Sequence, residues 1–346
     1  MGLLASGVAV RGVFGGSVGD TGTTLLFDQV GTQATPPPVR GLRRFLVMDE
    51  HASDLGRRRF RQGASRHVLE EAEKTYVFGF NAVLSRDVPK IDDISLERRG
   101  FAYEGAAAAC AALDLLTLAR GRRLRALLDG PALHFQQAAH LGAGRGYALL
   151  RVRPLRGVRG GHPLLRWLAM DGFGFQLGLT QTDRLVGERS LPDLPTRAHC
   201  ALFDQGLGRL LWYHDCASPD DLAITVAGYP ASRRGDLWIG LGFAATYVGG
   251  AGADWLWRLA EHAGADGFRP HLAQGCAFAA ASMTLGERLP EHVELAVPIL
   301  AGTAAEDAGA WVAGALSVLD SDPYTHDEFL AWQAHTRRAW KRRHPD

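Results

Sequence analysis

The sequence predicts a mainly α-helical fold, one domain built from repeated helical hairpins, and three observations carry that prediction. A Gly-Phe pair recurs at Gly100-Phe101, Gly172-Phe173 and Gly242-Phe243, with spacings of 72 and 70 residues. Each copy is followed by a second glycine segment in a matching context: His140-Leu141-Gly142-Ala143-Gly144, Leu202-Phe203-Asp204-Gln205-Gly206 and His271-Leu272-Ala273-Gln274-Gly275. Between them lie Ala- and Leu-rich runs such as Tyr103 to Ala119, made of strong helix formers. Three loose copies of about 70 residues, each with two glycine-marked segments, imply a hairpin unit longer than the common solenoid repeats of about 34 or 40 residues.

Residues 1–38 are rich in Gly, Thr and Pro and end in Pro36-Pro37-Pro38, which predicts a flexible segment ahead of a helical-repeat domain over 39–346. Arginines crowd from Arg40 to Arg61 and read as a solvated helix face. His67 to Glu73 reads as helix, the apolar run Tyr76 to Leu84 suits helix or strand, and Arg86 to Asp93 is a connector around Pro89. The first repeat then holds the Tyr103 helix, a basic polar link from Gly121 to Arg125, a break at Gly130-Pro131, and a second helix from about His134 to Leu150.

The second repeat runs from Pro163 through Gly172, crosses a polar loop from Gly187 to Pro195 and enters a helix over Leu202 to Tyr213. The third follows Pro230 and ends with Leu272 to Met283. Two short helices, Glu291 to Leu300 and Gly309 to Leu319, come next. The last helix has Asp322 as its N-cap, Pro323 in its first turn and arginines at its end.

The chain has 346 residues, 47% of them hydrophobic, and a net charge of +1, enough apolar material for a substantial core and no overall charge to attract nucleic acid. Cys110, Cys200, Cys216 and Cys276 are too scattered for a metal or iron–sulfur motif and suit reduced, buried thiols. The run free of ionisable residues from Leu237 to Ala253 is too short for a membrane span. The N-terminal apolar run lacks a basic region before it, so the expected location is the cytoplasm.

Four stretches carry a family resemblance: Glu97 to Gly105 (ERRGFAYEG), Phe203 to Trp212 (FDQGLGRLLW), Arg233 to Trp238 (RRGDLW) and Leu272 to Ala280 (LAQGCAFAA). Together they resemble the UnbL-type family, a domain family of unknown function encoded beside iterative enediyne polyketide synthases. The resemblance implies a role in bacterial enediyne antibiotic biosynthesis, in which a linear conjugated polyene released by the synthase is converted towards a diyne. It also implies two companions: a UnbV-type repeat protein, and a membrane-embedded UnbU-type protein that resembles a subunit of an electron-transport complex and would hold this chain near a membrane.

Making an alkyne from an alkene removes two hydrogens and two electrons, which ordinary side chains cannot accept. The Gly142-Ala143-Gly144-Arg145-Gly146 run falls in a helix rather than after a strand, so it is not read as a dinucleotide fingerprint, and no metal motif is present. The cofactor stays unknown, with the redox centre assigned to a partner. What the chain itself offers is aromatic surface for a flat polyene, at Phe101, Tyr103, Phe173, Phe175, Phe243 and Tyr247. Tight helix packing explains the same glycines, and core filling the same aromatics.

Four polar residues are the candidate catalytic groups. Glu104 aligns with Gln176 and Thr246 in the other copies and needs a partner such as Arg98, Arg99 or a histidine. His140 and His271 hold matching repeat positions and suit acid–base work. Asp204 is the fourth, and an ion-pair network with the Arg233-Arg234-Gly235-Asp236 group would explain it equally well.

Overall fold

The computed structural model describes residues 41–284, 288–319 and 325–344; the flexible segment expected over 1–38 lies outside the described residues. Among the described residues every regular element is helical and no strand forms. After short 3₁₀ turns from Gly41 to Arg57, the α-helices are α1 (Arg66–Ser85), α2 (Leu96–Leu116), α3 (Arg122–Leu128), α4 (Gln136–Leu149), α5 (Leu168–Thr180), α6 (Arg197–His214) and α7 (Pro219–Ala227). They continue with α8 (Ala231–Tyr247), α9 (Ala253–Ala265), α10 (Arg269–Met283), α11 (Glu291–Leu300), α12 (Ala305–Leu316) and α13 (His326–Arg343).

The helices α1, α2, α4, α5, α6, α8 and α10 pack side by side in that order, and glycines let them do so. A Cβ placed at Gly105, Gly142, Gly172, Gly206, Gly240 or Gly275 would run into a backbone carbonyl of the preceding helix in the row. Gly79, Gly144, Gly174, Gly208 and Gly242 face the following helix in the same way. Backbone therefore rests on backbone at each seam, a spacing that permits Cα–H···O contacts and excludes even a methyl group.

This packing corrects the repeat length. Gly172, Gly206, Gly240 and Gly275 serve the same role at steps of 34, 34 and 35 residues, one core helix per step. The Gly-Phe spacing skips alternate helices because Gly206 precedes Leu207 instead of a phenylalanine. It also mixes registers: Gly172 faces backward onto Leu141, whereas Gly242 faces forward onto Leu272 and matches Gly174. Gly100 belongs to neither set and lies against the Tyr247 hydroxyl.

Helices α7, α9 and α11 form a second layer, α7 against α9 and α9 against α11. In α9 the buried residues Leu256, Leu259, Ala260 and Ala263 follow the i, i+3, i+4, i+7 stripe of a helix with one wet face. By contrast α2, α5 and α10 are buried nearly all round, so they carry no such stripe.

Two helix starts differ from expectation for reasons visible in the structure. The basic link Gly121 to Arg125 is the start of α3, because the Asp114 carboxylate accepts the backbone N–H groups of Arg123 and Leu124 at 3.0 and 3.1 Å. That cap comes from the preceding helix, where local sequence cannot reveal it. The last helix is capped by Thr325, whose hydroxyl accepts from Glu328 N–H in a capping box, not by Asp322; Asp322 and Pro323 lie outside the described residues. Phe329 and Trp332 of this helix are fully buried, and the Trp332 indole donates to Val312 O at 2.8 Å.

A candidate site at the closed centre of the helix row

The glycine register sets the geometry of the centre. Three residues after the backward-facing glycines Gly142, Gly172, Gly206 and Gly240 stand Arg145, Phe175, Arg209 and Phe243, on α4, α5, α6 and α8 in turn. They line one cavity, so the row curls around it. Charge and ring alternate: the Arg145 guanidinium lies 4.7 Å from the Phe175 centroid, and Arg209 lies 5.0 Å from Phe175 and 5.6 Å from Phe243. Arg145 also sits 3.4 Å from the Tyr76 ring of α1.

Every charge here is buried and partnered. Arg145 binds Glu73 through two bonds of 2.7 and 3.0 Å, donates to Gln176 at 2.9 Å, and reaches Glu104 at 3.3 Å. Arg209 donates from Nε to Asp171 at 2.8 Å, while its Nη2 and the Tyr76 hydroxyl are buried without a hydrogen-bond partner. Burial would by itself lower the Arg145 pKa, but Glu73 and Glu104 outweigh it, so the guanidinium is held above its ordinary value. Burial pushes the Asp171 carboxyl up to about 6 against the opposing pull of Arg209, with the Glu104 charge adding to the rise. Three carboxylates thus face two guanidiniums, and protonating Asp171 would balance them.

Phe101, Tyr213 and Tyr247 close the remaining wall. The cavity they leave is about 10 Å³, room for no more than about one water. Phe101 and Val248 separate it from a vestibule of about 220 Å³, which opens between Glu71, Glu97, Arg98 and His292.

Of the residues singled out from sequence, the structure brings Glu104, Phe101, Phe175, Phe243 and Tyr247 to this centre. The partner of Glu104 is Arg145; Arg98 instead faces Glu71, and Arg99 binds the carbonyls of Ile94 and Asp92. Gln176 reaches the same guanidinium, whereas Thr246 is buried on α8 but is not among the residues lining the cavity.

The others sit elsewhere. Asp204 is held by Arg233 through bonds of 2.6 and 2.8 Å, the ion pair that ties α6 to α8. Tyr103 donates to Asp92 and stacks on Phe135 at 4.8 Å, and Phe173 meets Phe203 edge-on. His271 packs against Phe268, and burial, aided by Arg337 and Lys341, pushes its pKa down to about 3. It stands four residues before Gly275, whereas His140 stands two before Gly142, so the two histidines are not equivalent in the glycine register.

His140 bridges α4 to the following loop: its Nδ1 lies 2.6 Å from Gln136 O, and its Nε2 accepts from His162 N–H at 2.8 Å. That acceptor role requires a neutral ring, and burial pushes its pKa from 6.5 down to about 4. The unfolded chain takes up a proton that the folded chain refuses, so the stability His140 contributes is present above pH 6.5 and is lost as pH falls towards 4. The advantage of wild type over His140→Gln is expected to shrink over that window by on the order of 3 kcal/mol, read from urea unfolding at stepped pH. A pH-independent difference would refute this.

Sequence reasoning missed Glu73, Arg145, Asp171 and Arg209. The available signal was a four-residue pattern, Gly142-Ala143-Gly144-Arg145, Gly172-Phe173-Gly174-Phe175, Gly206-Leu207-Gly208-Arg209 and Gly240-Leu241-Gly242-Phe243. Among the described residues no group of His, Cys, Asp or Glu side chains is arranged to hold a metal, and no helix is long and apolar enough to cross a membrane.

The chain belongs to the family described as Protein of unknown function (DUF1702), whose model matches residues 39–340. No curated protein and no solved structure matches it.

Proposed function

We propose that this protein acts in enediyne biosynthesis, binding the linear polyene released by the synthase and helping to convert it towards the diyne-bearing core with UnbV-type and membrane-embedded UnbU-type companions. The reading starts from the UnbL-type resemblance, whose stretches include three residues of the centre, Phe101, Glu104 and Arg209. The observation that carries it is the position of Glu104: a buried carboxylate steadied by Arg145, set among aromatic rings, with only the Phe101 and Val248 partition between it and a vestibule.

In this scheme the rings of Phe101, Phe175, Phe243 and Tyr247 flank the conjugated chain, and Glu104 takes a proton from it. The second hydrogen of each alkene leaves with the electron pair, as a hydride equivalent, to a redox centre in the companion proteins. A polyene needs far more room than about 10 Å³, so binding requires the Phe101 side of the cavity to open into the vestibule.

The closed centre favours a second reading, in which the protein is a non-catalytic polyene-binding scaffold that docks the intermediate onto the membrane partner. One reconstitution separates the two. With polyene and both companions present, omitting this chain is expected to stop the loss of polyene absorbance; unchanged conversion would sink both readings. A folded Glu104→Gln variant is expected to lose conversion if the centre is catalytic and to retain it if the protein is a scaffold.

A further inference from the structure

A second, much larger cavity than that at the centre lies away from it. It is a groove of about 670 Å³ between the C-terminal end of α2, the start of α3, the end of α4 and the segment 152–159. Its size falls in the range of about 300–1,000 Å³ typical of sites for small ligands. Two features of its wall are costly for a free protein surface.

The first is exposed apolar surface. Leu118 is 84% exposed and Val152 39% exposed, both on the groove wall, and Leu116 beside them is also exposed. Leu118 and Arg120 adopt positive φ of 52° and 55°, a left-handed backbone that non-glycine residues rarely take.

The second is unbalanced charge. Arg120, Arg153, Arg156, Arg159 and Arg166 line the groove, and among the described residues none of the five pairs with a carboxylate. The one acid on the wall, Asp114, is already occupied by Arg123 at 2.9 Å and by the N–H groups that start α3. From Leu115 to Met170 the sequence contains a single acid, Asp129, in a chain whose net charge is only +1. Arg166 buries its Nε without a hydrogen-bond partner.

We propose that this groove binds a single-chain anionic amphiphile, an acyl or polyenyl chain ending in a carboxylate or a phosphate. The apolar chain covers Leu118 and Val152, and the head group accepts forked hydrogen bonds from the arginine rim. A concave wall with charge on its edge suits one chain and one head, whereas a membrane surface would call for a flat or convex basic face. This site is separate from the Glu104 centre, so its failure leaves the pathway reading standing, and the reverse holds too.

The test uses the full chain and the fluorescence of cis-parinaric acid, with its methyl ester and dodecyl phosphate as competitors. The acid is expected to bind at least about tenfold more tightly than the ester, and binding to weaken as salt is raised. Stronger competition by dodecyl phosphate would assign the head to phosphate; weak competition would assign it to carboxylate. Charge reversal in Arg156→Glu/Arg159→Glu is expected to weaken acid binding by about tenfold or more while leaving the thermal melt unchanged. Leu118→Ser is expected to weaken acid and ester alike. The proposal is overturned if ester and acid bind equally, if charge reversal has no effect in a folded variant, or if only phosphatidylglycerol vesicles and no monomeric amphiphile are bound.

Discussion

Arg145→Met is expected to destabilise the protein by about 3–5 kcal/mol, the range seen when one partner of a buried ion pair is removed. The substitution keeps bulk in the cavity, so the loss would come from charge. Glu73 and Glu104 would be left buried without their shared cation, and Gln176 without its donor. The companion variant fixes the interpretation: Glu73→Gln/Arg145→Met/Glu104→Gln, which removes all three charges, is expected to recover most of the loss, because neutral groups bear burial better. Urea unfolding of the two variants provides the measurement. A loss below about 1 kcal/mol for Arg145→Met would show that the network does not hold the centre.

Gly206→Ala is the second large effect, expected to cost at least about 3 kcal/mol or to prevent folding. The added methyl would lie 2.6 Å from the Asp171 carbonyl carbon and 2.9 Å from Phe175 N, backbone atoms that no rotamer change can move aside. Helices α5 and α6 would have to separate, which also pulls Asp171 from Arg209. Gly314→Ala is the matched control: it lies in α12 with nothing near the added methyl, and should stabilise by up to about 1 kcal/mol through helix propensity. If both substitutions move the thermal midpoint the same way, the close-packing account fails.

The helical class was legible because Ala- and Leu-rich runs and recurring glycines survive in the sequence without any knowledge of partners. The sequence pattern marks α11 at both its boundaries, and α6 by its core. What escaped was the register. An all-round buried helix such as α5 has no polar face to mark which residues point to the centre, so Phe173 and Phe175 looked alike, although one meets Phe203 and the other the arginines. Glu104 stood out as a carboxylate in an apolar run, yet its partner lies 41 residues away on another helix. Arg145 and Arg209 were overlooked for a similar reason: in a chain rich in arginine, residue type alone does not separate a buried guanidinium from a surface one.

The glycine seams also restrict how the molecule can move. A carbonyl seated over a glycine cannot slide along the neighbouring helix, because the next position would present a side chain to it. Sliding at any seam from α1 to α10 would therefore cost a clash, whereas a change in curvature, like a strip of rigid slats rolling tighter or looser, leaves each carbonyl on its glycine. Looser curvature acts where the roll meets itself, at the Tyr247 hydroxyl against Gly100 and the 2.6 Å bond from the Ser65 hydroxyl to Gly250 O. With the Phe101–Tyr247 ring contact at 4.9 Å, those two contacts close the roll beside the vestibule that leads to Glu104.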